Sequence, residues 1–276
     1  MILIDFAVGL SYYKSIKPIS LREVSGVLTE ERHHLILQLL KEKEVRKLQE
    51  FVEATGSSES TIRRDLSQLE EEKKLIRVHG GAALVKQKRS EPSMIEKSTR
   101  HTTEKKRMAL YAASLLANGD CIYLDAGTTT FEMIPHIEGK DITVVTNGIA
   151  HAEALVERGI QTFVIGGYLK ANTRALIGQG ALHGLSQYSF DKCFIGVNGI
   201  HPNAGFTTPD PEEALIKRTA IERSQAAYVL ADPSKFNETA FAHIGHLQEA
   251  IIITDKLEEE ILHLYGKKTS IKEVKA

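Results

Sequence analysis

The 276 residues, 42% hydrophobic and 26% charged, have the balance of a globular chain and the length for two domains of ordinary size. A formal net charge of -1 excludes a general positive field as the means of holding nucleic acid, so any such contact must be local. No apolar run reaches the roughly 20 residues of a membrane helix, Lys14 and Lys17 follow the apolar start where a signal peptide puts its charges first, and Cys121 and Cys193 form no CxxC or metal-ligand pair, so the expectation is a cytoplasmic protein with buried thiols and no cofactor.

Residues 1–26 keep neither a helical nor an alternating period and read as a non-native or disordered extension. Arg22-Glu23-Val24 can be encoded as a ribosome-binding site, with Val27 or Leu28 at a suitable distance to initiate. From Thr29 to Lys43 the spacing of Leu35, Ile36, Leu39 and Leu40 predicts a first helix, and a second runs from about Lys47 to Thr55 over Leu48, Phe51 and Val52. Gly56 breaks the chain, and Ser58 is a good N-cap for a third helix with Ile62, Leu66 and Leu69 turned inward. Leu75 to Val78 alternates as a strand, His79-Gly80-Gly81 turns, and Ala82 to Val85 returns. Three helices and a hairpin make a winged helix-turn-helix over 27–85.

That arrangement places Thr61, Arg64 and Glu59 or Ser60 on the exposed side of the third helix near its start, the end that enters a major groove. An arginine there can meet both acceptors of a guanine edge, while Ser57, Ser58 and the helix-start amides suit phosphates. Arg63, Arg46, Lys47, Arg77 and His79 complete the candidate DNA-binding set. The competing interpretation is a solvated face in which Arg63 or Arg64 pairs with a neighbouring acid, a contact worth ~0.5 kcal/mol. The cap, the glycine turn, the partner helix and the hairpin together favour double-stranded operator DNA as the partner.

Residues 86–103 are polar, lack an apolar period and read as a linker. From 104 to 265 short β-type runs alternate with helical stretches: Cys121 to Leu124, Ile142 to Val145, Thr162 to Ile165, Cys193 to Val197, Tyr228 to Leu230 and Ile251 to Ile253. Such alternation predicts an α/β domain on a largely parallel sheet, with ligand loops at the strand carboxyl ends, and 266–276 reads as a tail.

TIRRDLSQLE followed by LIRVHGGA resembles the DeoR family of bacterial sugar-metabolism regulators. The likeness continues through Arg100, Glu104-Lys105, Asp125-Ala126-Gly127-Thr128-Thr129-Thr130, Thr146-Asn147-Gly148, Gly166-Gly167, Phe194-Ile195-Gly196, Gly205-Phe206-Thr207 and Asp232-Pro233-Ser234-Lys235-Phe236. Ser57 stands where the family usually has Val, and residues 1–26 have no family counterpart. The resemblance implies a repressor of a sugar-metabolism operon, a homodimer or homotetramer released from its operator by a phosphorylated sugar. It also implies a sensor domain similar in fold to ribose-5-phosphate isomerase and glucosamine-6-phosphate deaminase.

Gly127 lets the backbone approach a ligand, and Thr128 and Thr129 add hydroxyls to the amides of a helix start, a setting that favours an anion. The same segment serves equally as a plain βα turn. Asp125, Asn147, Gly167, Asn198 and Lys235 converge on it if the sheet is parallel, Lys235 being the cation expected at the phosphate. Glu213, after Asp210 and Pro211, reads as a helix-capping acid, and Lys217 and Arg218 face either solvent or the pocket. An isomerase or deaminase is the alternative function, but Gly196-Val197-Asn198-Gly199-Ile200 lacks the acidic pair that proton transfer needs. His201, His243 and His246 lack acidic or cysteine partners at ligand spacing and read as surface or loop histidines, with no metal.

Overall fold

Thr29 and the acidic pair Glu30-Glu31 open the first helix in a computed structural model that describes residues 29–43, 45–72, 74–84, 93–137 and 141–274. The proposed extension 1–26, Val85 and Lys86 lie outside the described residues. The chain divides into two units, Met1–Lys86 and Gln87–Ala276.

In the first unit, α1 (Thr29–Glu42), α2 (Leu48–Thr55) and α3 (Glu59–Glu71) pack around Ile36, Leu40, Phe51, Ile62, Leu66 and Leu69, all fully buried. Each such side chain contributes about 1.5–3 kcal/mol on leaving water. Three short strands, β1 (Val45–Lys47), β2 (Leu75–Val78) and β3 (Gly81–Leu84), form an antiparallel sheet in the order β1-β3-β2. The sequence pattern hides β1, because three residues with two cations carry no alternation. Gly81 betrays it: a Cβ there would lie 2.0 Å from the Arg46 carbonyl oxygen, so only glycine admits the third strand. One ion pair is buried in this small core. Arg32 Nη2 donates to Asp65 Oδ1 over 2.9 Å, its Nε donates to the other carboxylate oxygen, and His33 Nε2 lies 3.2 Å from Oδ1.

The second unit begins with α4 (Met94–Thr99) inside the segment expected to be a linker, because Ser93 and Glu96 cap it reciprocally. It continues through α5 (Thr102–Ser114), β4 (Cys121–Leu124), α6 (Thr128–Phe131), β5 (Thr143–Thr146), α7 (Ile149–Glu157), β6 (Gln161–Val164), β7 (Tyr168–Leu169), β8 (Leu176–Ile177), α8 (Gln179–Ser186) and β9 (Phe190–Gly196). Then follow β10 (Gly199–His201), β11 (Gly205–Thr208), α9 (Pro211–Glu222), β12 (Ser224–Leu230), β13 (Ala242–Gly245), β14 (Ile251–Thr254), α10 (Glu259–Gly266) and β15 (Ile271–Glu273). Seven of these strands form one parallel sheet, ordered β15-β14-β12-β9-β4-β5-β6. The expected tail is therefore corrected: Ile271–Glu273 is its edge strand and Val274 is buried.

Strand alternation divides the interior in two. Tyr123, Cys193 and Ile195 join a core with α8, α9 and α10, whereas Ile122, Leu124 and Phe194 join one with α5 and α7. The expectation of two buried thiols is corrected too: Cys193 is buried, its pKa pushed up to about 12 by burial, but Cys121 is exposed. Adjacent strands β4 and β9 mark where the winding reverses, since β5 and β6 extend one way and β12, β14 and β15 the other. Their carboxyl ends flank the crevice where such sheets take ligands. Among the described residues no helix is long and apolar enough to cross a membrane.

Candidate functional site

In the first unit α2 ends on Gly56, whose φ of 65° supplies the left-handed turn, and Ser58 then caps α3 by accepting from the Thr61 amide over 3.2 Å. Ser58 Oγ also lies 2.9 Å from both Ser60 Oγ and Thr61 Oγ1. With Ile62, Asp65, Leu66 and Leu69 buried, Ser60 and Arg64 occupy the opposite face, exposed and one helical turn apart. Arg64 is exposed and has no hydrogen-bonding or ion-pair partner among the described residues. Arg63 is tethered to Glu59, with Nε donating over 2.9 Å. Arg77 of β2 lies back along α3 and donates to Ser67 Oγ over 2.9 Å, while His79 and Lys47 are exposed. Arg46 is turned inward: it donates to the Leu39 carbonyl over 2.7 Å and to Glu42 over 3.2 Å, which closes the end of α1.

In the second unit the β4 and β9 ends meet at Gly127 and Gly196, where a Cβ on Gly127 would lie 4.0 Å from Gly196 Cα. Asp125 is only 2% exposed, and its Oδ2 accepts from the Gly196 amide over 3.1 Å and from the buried Lys217 ammonium. The sequence left Lys217 open between solvent and pocket; the structure turns it inward. The available signal was its register, since Glu213, Ala214, Ile216, Lys217, Ala220 and Ile221 form the buried face of α9.

Asn147, also 2% exposed, holds the loop from the other side, its Oδ1 accepting from the Ala126 amide over 2.9 Å. Thr130 Oγ1 donates to the Asp125 carbonyl over 2.6 Å. His151 Nε2 lies 3.1 Å from the Gly127 carbonyl, which can only accept, so Nε2 carries the proton. Burial lowers the His151 pKa to about 4, and the ring is neutral near pH 7. The sequence offered no sign of this histidine. Because α6 is one turn long, little macrodipole stands behind the Thr128 and Thr129 amides; what they offer an anion is unpaired N–H groups and hydroxyls.

Lys235, in the short turn after β12, is one-third exposed, with Nζ 3.9 Å from Asp232 Oδ2. Asn198 Oδ1 accepts from Thr208 Oγ1 over 3.0 Å, and Gly167, at φ 126°, is packed so closely that a Cβ would lie 2.5 Å from the Ile177 carbonyl oxygen. Both positions therefore hold their loops by packing and hydrogen bonding. Glu213 is a correction. Asp210 alone caps α9, accepting from the Glu212 amide over 2.8 Å, whereas the buried Glu213 carboxylate accepts from Lys170 over 2.9 Å and Thr173 over 2.8 Å. His243 and His246 are exposed as expected, and no group of three or more His, Cys, Asp or Glu among the described residues could hold a metal ion.

Residues 32–88 match the DeoR-like helix-turn-helix domain, and residues 100–256 match the DeoR C terminal sensor domain. The chain is 52% identical to the uncharacterized HTH-type transcriptional regulator FruR of Bacillus subtilis (strain 168), over 90% of this chain and 100% of that protein. It is 35% identical to the HTH-type transcriptional repressor GlcR of the same organism, over 84% of this chain and 90% of the relative. Among solved structures, ribose 5 phosphate isomerase A from Neisseria gonorrhoeae is similar over 48% of this chain and 52% of its own, with 17% identity and a TM-score of 0.36.

Proposed function

Because the chain belongs to the DeoR family of transcriptional regulators, we propose that it represses a sugar-metabolism operon and leaves its operator when a phosphorylated sugar enters the β4/β9 crevice. The observation that carries the DNA half is the capped α3, with Ser60 and the unpartnered Arg64 on its outer face. Arg64 reads a guanine edge, Ser57, Ser58 and Thr61 hold phosphates, and Lys47, Arg77 and His79 add backbone contacts. Arg46 is left out of this set, since its guanidinium closes α1. A homodimer or homotetramer presents two such helices to paired half-sites.

The ligand half rests on the crevice. Gly127, Thr128 and Thr129 meet the phosphate with backbone and hydroxyl donors, Lys235 supplies charge, and the Asp125–Lys217 pair and Asn147 hold the floor rigid. Release requires the ligand to favour one arrangement of the protein over another, because equal affinity for both shifts nothing. Proton-transfer chemistry has no support here: Asp125 is neutralised by Lys217, and the relatives bear regulator and repressor names.

Fluorescence anisotropy with the promoter-proximal DNA of the chain's own operon tests both halves. Arg64→Ala weakens operator binding by about 1–3 kcal/mol with ligand binding intact. Thr128→Val and Lys235→Met keep operator binding and lose release by a panel of hexose and pentose monophosphates. Unchanged affinity in Arg64→Ala removes the reader, and normal release in both crevice variants removes the pocket.

A further inference from the structure

The two edges of the parallel sheet are guarded differently. At one end β15 is Ile271-Lys272-Glu273, and charges on an edge strand keep it from pairing with another chain. At the other end β6 is Gln161-Thr162-Phe163-Val164, without a charge or a proline. Among the described residues no strand pairs with its outer side.

Exposed apolar side chains collect around that open edge. Phe163 and Val164 belong to β6, Val156 to α7, which packs against β6, and Tyr168 and Leu169 to β7, just past the Gly166-Gly167 turn. By strand alternation Phe163 shares the face of Ile165 and its ring lies 6.0 Å from that of Tyr188, while Val164 is on the other face. All five are exposed, Tyr168 by 68%. Together they leave open on the order of 500 Å² of side chain, at the upper end of the largest patch on an ordinary monomer. A stable dimer buries about 800 Å² per partner, so this patch supplies more than half of one side.

The backbone fixes how a second copy fits. The Ile165 amide donates inward, to the Thr146 carbonyl of β5, over 3.1 Å. Alternation then turns the N–H and C=O groups of Phe163 toward β5 and those of Thr162 and Val164 outward. An antiparallel copy of β6 meets those outward groups when Thr162 faces the partner's Val164 and Val164 faces the partner's Thr162. A reciprocal pair of hydrogen bonds closes on each side of a two-fold axis, and Phe163 meets the partner's Phe163 on the axis itself, in the close pair that exchanges no hydrogen bond.

We infer that β6 is the edge on which two copies of this chain join, antiparallel about Phe163, so that two seven-stranded sheets continue as one. This rests on the reading that two copies serve paired half-sites, and it adds the surface that unites them.

Sedimentation velocity on the full chain tests it. The wild type sediments as two or four copies. Phe163→Glu, which sets like charges face to face on the axis, halves that mass with the far-ultraviolet circular dichroism unchanged. Val164→Pro also halves it, because the ring deletes an outward N–H and no bond to β5. In a Cys121→Ser background, Phe163→Cys cross-links two copies on mild oxidation, since Cα atoms in such a pair lie about 4.5 Å apart. Gln161→Cys, also exposed but roughly 14 Å from its symmetry mate, does not. Phe163→Glu loses about tenfold or more in affinity for the promoter-proximal DNA, because its two reading helices no longer bind as one linked event. A monomeric wild type, an unaltered mass in both Phe163→Glu and Val164→Pro, or cross-linking through residue 161 in place of 163 overturns the β6 contact. A dimer cross-linked through Phe163→Cys whose wild-type parent ignores the promoter-proximal DNA overturns the operator reading and upholds the contact.

Discussion

The two units handle polar residues in opposite ways. In the smaller one the groups proposed to act on DNA, Ser60 and Arg64, stand exposed, and stability is entrusted to a different pair, Arg32 and Asp65, buried beneath them. In the larger one the groups proposed to floor the crevice are themselves buried and mutually satisfied: Asp125, Asn147 and Lys217 are at most 6% exposed. Function and folding are thus separable by mutation in the first unit and share the same atoms in the second.

The sharpest way to break that contrast is to remove one member of each buried pair. Lys217→Met leaves the Asp125 carboxylate buried without its ammonium partner while the Gly196 amide still donates to it, and the expected loss is about 3–5 kcal/mol. Asp65→Ala removes the buried carboxylate that accepts from both Nε and Nη2 of Arg32, at a similar cost. Urea denaturation checks both, but the accompanying readouts differ. Lys217→Met loses ligand binding together with stability, and adding Asp125→Asn recovers much of the stability without the binding. If Lys217→Met binds sugar phosphate normally once folded, the claim of shared atoms fails.

Acid should act on the larger unit through His151. Its folded-state pKa of about 4 lies below the ordinary 6.5, so between those values the unfolded chain binds the extra proton and stability falls as pH falls. The loss between about pH 7 and about pH 5 is on the order of 2 kcal/mol. His151→Gln flattens this dependence, and chemical denaturation at the two pH values measures it. A wild-type stability that rises on acidification across this window contradicts a buried neutral ring.

The same contrast decides what the sequence disclosed. An amphipathic helix with a serine cap announces its outward face, so the exposure of Ser60 and Arg64 was legible from periodicity while Thr61 is half-buried, and the six strands β4, β5, β6, β9, β12 and β14 were legible from apolar runs. Short elements were not: β1 and β15 have three residues each, and too few side chains to show a period. Buried charge was the other blind spot. Lys105, Lys217 and Glu213 all fall on the apolar side of a helix, and periodicity alone cannot say which residue meets each of them, because their partners arrive from other elements. Asp125 and Lys217 are 92 residues apart in the chain.

The smallest expected effect tests whether the exposed face of α3 is as independent of stability as the comparison holds. Arg63 and Glu59 are both more than half exposed and four residues apart, so solvent screening limits their pair to about 0.5 kcal/mol. Glu59→Gln should therefore leave the denaturation midpoint almost unmoved. It also removes a negative charge from the side that faces phosphates and frees the Arg63 guanidinium, so operator affinity should rise about twofold at low salt. The gain should disappear as salt is raised, since it is a screened, sequence-independent attraction. A loss of affinity instead, confined to one base position of the operator, would mean that Glu59 accepts from a cytosine amino group and that the reading face extends one residue further toward the start of α3.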